Sequence, residues 1–347
     1  MPETLIAWAD DFAHLMVDWQ RQHGRQSLPW QNTQDPYRVW LSEIMLQQTQ
    51  VKTVLDYFPR FLGRFPDVAA LAAAHQDDVL ALWSGLGYYS RARNLHKCAQ
   101  EVMGRFGGAF PRLAEDLQTL PGIGRSTAAA IAAFCFQERV AILDGNVKRV
   151  LTRVLGYAED LAVTKNEKAL WALAQELLPA RNTDMPRYTQ ALMDLGATVC
   201  LPRKTQCEIC PVSAVCQAQA LGEPLAFPVK TRKLKRRSVT LWLLWAVNSQ
   251  GQVWLQRRPS TGIWAGLFSL PVFESEADLL AAWVQGAQPQ YIEPWKHVLT
   301  HRDLHLHPVR MTSTALQVPA CEGQWVDASA WPEMGLPAPI RLLLAAK

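Results

Sequence analysis

The sequence contains no uninterrupted apolar run of about 18 residues, the length that a helix needs to cross a bilayer. Its opening residues, MPETLIAWADD, carry acidic side chains where a secretory signal peptide carries basic ones. These two absences argue against a membrane protein and against a secreted one. They predict a soluble, cytoplasmic protein.

A strong charge of either sign is also lacking, because 35 lysines and arginines nearly balance 31 aspartates and glutamates, for a net charge of +4. A balance this small permits binding to a polyanion without establishing it. Local basic segments must therefore carry any argument for nucleic-acid binding.

Cysteine is sparse, with 7 residues in a chain of 347. A disulfide scaffold needs a higher density, so disulfides are not expected to hold this fold together. Four of the cysteines nevertheless crowd into the short stretch from Cys200 to Cys216. That crowding indicates a metal site in a reducing compartment.

The chain divides into two predicted domains, since 347 residues exceed the usual size of one hydrophobic core. Apolar residues at helical spacing predict a helical domain over residues 1–226. Residues 227–237 are rich in lysine and arginine and predict a basic linker. Residues 238–347 predict a separate, smaller α/β domain.

Local patterns predict the elements of the second domain. Residues 238–247 and 252–257 are rich in β-branched and aromatic side chains and flank a turn at 248–251, which indicates a hairpin. Helices are expected over residues 276–285 and 340–346.

The four clustered cysteines are Cys200, Cys207, Cys210 and Cys216, separated by six, two and five residues. Four thiolates at this compact spacing suit an iron-sulfur cubane, whereas structural zinc usually uses two short knuckles separated by a longer loop. An iron-sulfur cluster is the favoured interpretation. Zinc and unligated thiols stay open as alternatives. A bound metal could also have a purely structural role and only stabilise the fold.

A glycine-rich turn joins two helical stretches within residues 111–136. Its central residues are Pro121, Gly122, Ile123 and Gly124. Glycine lets backbone amides come close to a phosphate, and the start of the second helix adds a partly positive end. The pattern predicts a helix-hairpin-helix that binds the DNA backbone without reading bases. A tight helical turn that binds nothing is the alternative.

Two carboxylates lie in apolar settings. Glu43 falls within a helical stretch, residues 39–46, that has few polar side chains. Burial would raise the pKa of its carboxyl, and a carboxyl protonated near neutral pH can act as a general acid. Asp144 follows an apolar run and precedes a helix, so its simplest role is helix N-cap. A capping aspartate can still direct one oxygen into a pocket. For Glu43, the alternative is an ion pair with Arg38 or Lys52.

These features occur together with a longer set of motifs. The set comprises Leu28–Trp30, Pro36–Tyr37, Ser42–Val51, Gly85–Ala92, Leu143–Val147 and Met193–Ala197. With the hairpin and the cysteine loop, they span most of residues 28–216. On these motifs the chain resembles the endonuclease III superfamily of base-excision glycosylases, and within it the MutY family.

The resemblance implies a fold and an activity. The expected fold is an α-helical helix-hairpin-helix glycosylase domain with a loop holding a 4Fe-4S cluster, followed by a smaller α/β Nudix-like domain. Lyases of the superfamily place a lysine just after the hairpin arginine, where this chain has Ser126. A monofunctional adenine DNA glycosylase is therefore expected. It would remove adenine mispaired with 8-oxoguanine or guanine and leave an abasic site in an intact strand.

The resemblance also implies residue roles. Glu43 would protonate adenine at N7, Asp144 would stabilise or transiently attack the cationic sugar, and Asn146 would orient these groups. Ser126 stands where some relatives have tyrosine. The adenine pocket would include Trp30, Leu46 and Gln190. Residues expected at the DNA backbone or near 8-oxoguanine are Gln48, Thr49, Tyr88, Gly122 and Gly124.

The segment Gly262–Pro271 resembles the Nudix fold. The glutamate-rich helix that binds magnesium in Nudix hydrolases is missing, so pyrophosphate hydrolysis is not expected. In the family a Phe-Ser-His loop reads 8-oxoguanine, and Leu299, Thr300 and His301 take that place here. The neighbouring histidines fit an ordinary strand face, and no metal is expected there.

Two other functions remain open from the sequence. The hairpin, linker and cluster would suffice for a noncatalytic iron-sulfur DNA-binding protein, although Glu43 and Asp144 in their motifs argue against it. A pyrimidine-type glycosylase of the same fold is disfavoured by the QQTQ segment and by the second domain. The expected partner is double-stranded DNA containing the mispair, bound by a monomer.

Overall fold

A computed structural model of the protein describes residues 3–231, 235–282, 288–312 and 322–346. The contacts of the chain group into two compact units. The first unit combines Met1–Ala72 with Lys97–Lys233, and the second combines Ala73–His96 with Leu234–Lys347. Among the described residues, no helix has the length and apolar character to span a membrane.

The predicted helical character of the first 220 residues is confirmed. The helices in chain order are α1 Glu3–His23, α2 Pro36–Leu46, α3 Val51–Arg64, α4 Val68–Ala73, α5 Gln76–Leu82, α6 Ser90–Phe106, α7 Ala114–Leu117, α8 Arg125–Phe136, α9 Gly145–Val154, α10 Thr164–Glu176, α11 Met185–Thr198 and α12 Gln217–Ala220. Short 3₁₀ turns interrupt the cysteine loop between α11 and α12.

Helix α2 shows how the sequence sets the position of a site residue. Asp35 caps its start by accepting a hydrogen bond from the Tyr37 amide at 2.9 Å, and Pro36 occupies the first turn. The helix buries most of its side chains and ends before Gln48, whose φ is +56°. Glu43 therefore lies on a helix that is otherwise embedded in the protein.

The core of the first unit forms where α1, α8, α9, α10 and α11 pack together through buried apolar side chains. Helix α8 contributes a run of alanines, which lets neighbouring helices approach closely. Helix α9 is capped by Asp144, whose Oδ1 accepts from the Val147 amide at 2.7 Å. The predicted N-cap role of Asp144 is thus confirmed.

The second unit contains a mixed sheet. Its strands are β1 Arg237–Val247, β2 Val253–Arg257, β3 Phe268–Ser269, β4 Val272–Phe273, β5 Gln290–Tyr291, β6 Trp295–Val298, β7 Arg302–Thr312 and β8 Gln324–Val326. The main path runs β3-β2-β1-β7-β5. Strands β1 and β7 are parallel along their whole length, and β6 returns antiparallel to β7.

The predicted hairpin of the second unit is confirmed. Strands β1 and β2 are antiparallel, with Val247 opposite Val253. The Asn248 side chain closes the turn by accepting from the amides of Gln250 and Gln252, and Gly251 adopts a positive φ of 79°.

Two helices accompany the sheet, and their bounds differ slightly from the prediction. Helix α13 covers Glu276–Ala281, so it ends before the predicted residue 285; residues 283–287 lie outside the described residues. Helix α14 covers Ala338–Ala345 and begins two residues earlier than predicted, because Pro339 suits a first helical turn. Leu279 of α13 packs into the core on one sheet face.

The grouping of the chain differs from a first domain made of the continuous segment 1–226, because residues 73–96 pack with the second unit. Asp77 pairs with Arg257, with Nη1 and Oδ1 2.8 Å apart. Ser84 donates to the Leu336 carbonyl at 2.8 Å, and Arg93 donates to the Ala265 carbonyl, also at 2.8 Å. Such contacts join residues about 170 or more positions apart, which sequence periodicity does not report.

The predicted linker 227–237 is also partly absorbed into folded structure. Phe227 is buried, and its carbonyl accepts from Arg153 at 3.1 Å. The Val229 carbonyl accepts from the Leu161 amide at 3.2 Å. Arg237 already belongs to β1. The remaining part includes residues 232–234, which lie outside the described residues.

Candidate active site

A cavity of about 540 Å³ opens in the first unit. Four residues predicted from the sequence lie on its wall: Trp30, Glu43, Leu46 and Gln190. Trp30 comes from the loop before α2, Glu43 and Leu46 from α2, and Gln190 from α11. The fold thus brings together side chains separated by up to 160 positions around a space large enough for a purine base.

Glu43 is the carboxyl on this wall. Burial, together with the neighbouring negative charge of Asp144, raises its pKa to about 8. At neutral pH the Glu43 carboxyl is therefore mostly protonated. It can donate a proton to a ligand in the cavity.

Asp144 is the second carboxyl of the pair. Burial raises its pKa, while hydrogen bonds from the Val147 and Asn146 amides oppose that rise. Those amides belong to the first turn of α9, where unpaired N–H groups favour an anion. The two carboxyls therefore differ in environment: Glu43 lies in an apolar helix, and Asp144 lies at a helix start that offers donors.

We expect Asp144→Asn to lower the pKa of Glu43, because the substitution removes the neighbouring negative charge. Desolvation is the larger cause and stays in place, so the pKa of Glu43 should remain above its ordinary value. Carbon-13 NMR of the glutamate side-chain carboxyls, assigned by the signal lost in Glu43→Gln, measures it. An unchanged titration of Glu43 in Asp144→Asn would show that the two groups are not coupled.

Asn146 is held in place from two sides. Its Oδ1 accepts from Arg149 at 2.9 Å, and the same guanidinium donates to the carbonyls of Gly196 at 2.5 Å and Cys200 at 2.8 Å. Gly196 lies directly against Asn146, since a Cβ placed on Gly196 would come within 2.7 Å of the Asn146 Cβ. The start of α9 is therefore fixed by α11 and by the first residue of the cysteine loop.

Gly196→Ala is expected to reduce the rate of base release by about 10²-fold, because its methyl group must displace the backbone of Asn146 and, through it, shift Asp144, which lies two residues earlier. Overpacking should also lower the free energy of unfolding by about 1–3 kcal/mol. Single-turnover kinetics and urea unfolding measure the two effects.

Gly104→Ala in α6 is the matched control, because a Cβ there meets nothing within 4 Å. It should leave the rate unchanged and raise the free energy of unfolding by about 0.5–1 kcal/mol. Equal rates for Gly196→Ala and Gly104→Ala would contradict the proposed positioning.

Ser126, in the first turn of α8, has a structural contact beside the carboxylate pair. Its hydroxyl accepts from the Leu143 amide at 3.1 Å, one residue before Asp144.

Gln48 is exposed and carries a positive φ, and Thr49 follows it in the turn between α2 and α3. Neither Gln48 nor Thr49 lines the cavity.

The predicted hairpin has the backbone that such a motif requires. Gly122 adopts a φ of +78°, which L side chains rarely take, and Gly124 is the N-cap of α8. No side chain caps the start of α8, so its first amides stay open to a ligand. The side chain of Arg125 stacks on Trp171, 3.9 Å from the ring centre.

The four predicted cysteine ligands line one cavity of their own. Arg153, which is 2% exposed, donates to the Cys200 sulfur at 3.2 Å and to the Leu201 carbonyl at 2.8 Å. Burial, with a smaller contribution from the other three sulfurs, raises the pKa of Cys210 to about 12. Among the described residues, no three His, Cys, Asp or Glu side chains are arranged as ligands of a single metal ion.

Four soft sulfur donors that converge on one cavity, with a guanidinium against one of them, are a donor set that fits an iron-sulfur cluster. The side chains are all half-buried, which leaves them accessible from the cavity. This fit agrees with the sequence spacing.

Tyr88 lies in the second unit on a loop with unusual backbone geometry. Gly85, Gly87 and Tyr88 itself all adopt positive φ angles. Its ring is 41% exposed, and its hydroxyl hydrogen-bonds the Thr300 hydroxyl. The Arg91 guanidinium stacks on both the Tyr88 and Trp83 rings, at 5.3 and 5.4 Å. Tyr88 is thus an exposed aromatic ring with the Arg91 guanidinium packed against it.

Thr300 and His301 lie in the turn between β6 and β7, which the Leu299 amide closes by donating to the Arg302 carbonyl at 2.8 Å. His301 is exposed. His305 and His307 follow on β7, where His307 stacks on Trp242 with ring centres 4.7 Å apart. That contact agrees with the interpretation of these histidines as a strand face.

Comparisons with known proteins identify the family. A family model described as "HhH-GPD superfamily base excision DNA repair protein" matches residues 41–176, and one described as "NUDIX domain" matches residues 242–346. An adenine DNA glycosylase of Buchnera aphidicola subsp. Baizongia pistaciae (strain Bp) is 36% identical over 342 residues, which cover 96% of this chain and 95% of that protein. The chain belongs to the adenine DNA glycosylases. As a member of this family, it is a DNA N-glycosylase that releases adenine.

Two further relatives place the first part of the chain. The adenine DNA glycosylase of Mus musculus is 46% identical over 223 residues, which cover 61% of this chain and 42% of the mouse protein. A solved thermostable thymine-DNA glycosylase matches with a TM-score of 0.54 and 27% identity, over 62% of this chain and 98% of that one. The predicted fold class, a helix-hairpin-helix glycosylase domain followed by a Nudix-like domain, is confirmed.

Sequence reasoning gave no role to several residues that organise this site. Arg25 and the buried Asp194 form an ion pair at the cavity, and Arg149 and Arg153 connect α9 to the cysteine loop. Asp194 lies four residues after Gln190 on one helix, so helical spacing could have linked those two. Arg25 offered no such signal, because it lies 169 positions from its partner.

Proposed function

We propose that this adenine DNA glycosylase is monofunctional and removes adenine paired with 8-oxoguanine or guanine. It would hydrolyse the N-glycosidic bond and leave an abasic site. It would act on double-stranded DNA as a monomer.

The observation that carries the proposal is the carboxyl pair of Glu43 and Asp144. The raised pKa of Glu43, about 8, keeps its carboxyl protonated at neutral pH. It can then give its proton to N7 of adenine in the cavity, which turns the base into a better leaving group. After the bond breaks, the resulting carboxylate can accept a proton from the attacking water.

Asp144 would face the positive charge that develops on the sugar. Hydrogen bonds from the first turn of α9 favour its ionised form, and an anion at this place stabilises an oxocarbenium-like transition state. Asn146 would hold the first turn of α9 in its position against α11.

The monofunctional character follows from the side chain at position 126. Ser126 has no amine to form a Schiff base with the sugar, and its hydroxyl is bonded to the Leu143 amide. We propose that Ser126 positions the chain before Asp144 and takes no covalent part.

Trp30, Leu46 and Gln190 would form the pocket for an extruded adenine. The glycine turn at Gly122 and Gly124, with the open amides of α8, would bind a backbone phosphate. Tyr88 would act as an aromatic wedge, and Gln48 and Thr49 would contact the space left by the base.

In the second unit, Thr300 and His301 would read 8-oxoguanine. The exposed turn offers a hydroxyl and an imidazole next to the Tyr88 ring. The hydroxyl of Thr300 replaces that of serine in the family loop, whereas Leu299 cannot replace the phenylalanine ring.

Cys200, Cys207, Cys210 and Cys216 would hold a 4Fe-4S cluster. When bound, the cluster would cross-link the cysteine loop and supply positive iron that favours the thiolate form of its ligands. Arg149 and Arg153 of α9 bind this loop, so they would place the loop against the helix whose N-cap is Asp144.

The proposal is tested with labelled duplexes that carry adenine opposite 8-oxoguanine, guanine, cytosine or thymine. Adenine release should be fast only opposite the first two, and strand scission should require alkali. Scission without alkali would contradict monofunctional chemistry. Equal release from all four duplexes would contradict recognition of the opposing base. Binding without any release would favour the noncatalytic alternative, and release of a pyrimidine would favour the pyrimidine-type one.

A further inference from the structure

A buried carboxylate next to the adenine cavity has no role in the mechanism above. Asp194, on α11, is fully buried. Its Oδ1 accepts from Arg25 Nε at 2.7 Å and from Gln190 Nε2 at 2.8 Å, and its Oδ2 accepts from the Arg25 backbone amide at 2.9 Å. Both partners line the cavity that contains Glu43.

The chemistry of Asp194 fixes which end of the Gln190 amide meets it. The three groups that hydrogen-bond to this carboxylate among the described residues are all N–H donors, and an ionised carboxylate offers acceptors only. If the Gln190 amide were turned the other way, its oxygen would face the Asp194 Oδ1 atom. That arrangement would lose a charge-assisted hydrogen bond and add repulsion between acceptors.

The consequence for the cavity is a fixed acceptor. With Nε2 engaged, Oε1 is the atom of the Gln190 amide that remains to contact a ligand, and it has no hydrogen-bond partner among the described residues. A free glutamine could rotate its amide and serve equally as donor or acceptor. Asp194 removes that freedom.

We propose that Asp194 is a positioning residue that determines base specificity, by locking Gln190 with its carbonyl towards the substrate. This inference rests on the proposed adenine pocket. A 6-aminopurine presents an N–H donor at position 6, which a fixed carbonyl accepts. A 6-oxopurine presents a carbonyl at the same place, which the fixed carbonyl repels. The lock therefore selects adenine over hypoxanthine, two bases of nearly equal size that share N7.

Arg25 is needed to hold the Asp194 carboxylate in the orientation that binds Gln190. The Arg25 side chain and backbone amide occupy both carboxylate oxygens, so the Asp194 carboxylate cannot rotate away from Gln190. The Asp194 carboxylate is shielded from solvent, with 0% of its side chain exposed, whereas the Arg25 side chain is 28% exposed. A charged pair held this way keeps its geometry when the cavity fills.

The test compares single-turnover release of adenine and of hypoxanthine, each placed opposite 8-oxoguanine in the same duplex. Asp194→Asn can donate as well as accept, so it permits both orientations of Gln190. The ratio of the adenine rate to the hypoxanthine rate should fall by at least about tenfold. Thr198→Val is the matched control, since the Thr198 hydroxyl donates to the Asp194 carbonyl and leaves the carboxylate alone; its ratio should equal that of the wild type.

A double variant separates positioning from a general structural effect. If Asp194 acts through Gln190, adding Asp194→Asn to Gln190→Ala should not change the ratio further. A further drop in the double variant, or an unchanged ratio in an Asp194→Asn enzyme that still releases adenine, would overturn the proposal.

A measurement on the wild-type protein covers the case in which Asp194→Asn does not fold. In nitrogen-15 NMR, the Gln190 side-chain N–H bonded to Asp194 should exchange with solvent at least about tenfold more slowly than an exposed glutamine amide. Free exchange would overturn the proposal. If the wild type releases no adenine from any duplex, the proposed function fails, while this exchange rate still decides whether Asp194 locks Gln190.

Discussion

Replacing Glu43 by glutamine is expected to slow adenine release by about 10²- to 10⁴-fold, the range that a positioned general acid contributes. Glutamine keeps the shape of the side chain and can still donate a hydrogen bond, but it cannot transfer a proton to N7. Because phosphate contacts that this substitution leaves in place supply most of the affinity for DNA, binding of the substrate duplex should change little. Single-turnover rates and equilibrium binding measure the two quantities separately.

The pH dependence of the wild-type rate provides an independent check. The protonated form of Glu43 is the active one, and burial raises its pKa to about 8. The rate constant for base release should therefore be at its maximum below pH 8 and should fall as the pH rises through that value. A rate that increases from pH 7 to pH 9 would contradict the assignment of Glu43 as acid.

Protein stability gives the control for Glu43→Gln. A carboxyl whose pKa is higher in the folded than in the unfolded state stabilises the fold less as the pH rises through that range. Neutral glutamine avoids this loss, so Glu43→Gln should unfold at the same or a higher temperature than the wild type at pH 9. A variant that is both inactive and less stable would indicate misfolding in place of lost chemistry.

Arg153→Met is expected to lower the free energy of unfolding by about 3–5 kcal/mol and to reduce iron and sulfide content. Arg153 is 2% exposed, and its guanidinium donates to the Cys200 sulfur and to the carbonyls of Phe227 and Leu201. Methionine fills similar space without any donor. It therefore leaves these acceptors buried and unpaired at the site where α9 meets the cysteine loop.

Two matched variants accompany this measurement. Arg153→Lys keeps the charge without the planar fork and should give an intermediate loss of stability. Arg38→Met removes an exposed arginine from α2 and should change the unfolding free energy by less than about 0.5 kcal/mol. Urea unfolding and iron analysis of the purified proteins measure both effects. Equal stability of Arg153→Met and Arg38→Met would show that the guanidinium does not hold the loop.

The two carboxylates illustrate what local sequence can predict. Glu43 stands in a helical run almost without polar neighbours, and that composition already predicts desolvation, which is the larger cause of its raised pKa. Asp144 precedes Gly145 and a helix, and its capping bond to Val147 joins residues three positions apart. Interactions of such short range depend on backbone geometry that the sequence itself specifies.

The arrangement of the cavity illustrates the opposite case. Arg25 and Asp194 are 169 positions apart, and their pairing depends on how α11 packs against the chain after α1. The grouping of Ala73–His96 with the second unit likewise depends on bonds such as that between Ser84 and Leu336. No periodicity within either segment carries this information.

The sequence by itself determined the helical and α/β parts of the chain, the cysteine spacing, the hairpin glycines and the family motifs, because each is expressed within a few neighbouring residues. Only the tertiary structure decided that Phe227 is buried, that Arg149 and Arg153 connect α9 to the cysteine loop, and that Asp194 holds Gln190 and Arg25 together. The reason is physical: hydrogen bonds and burial select partners by distance in space, and the fold as a whole sets that distance.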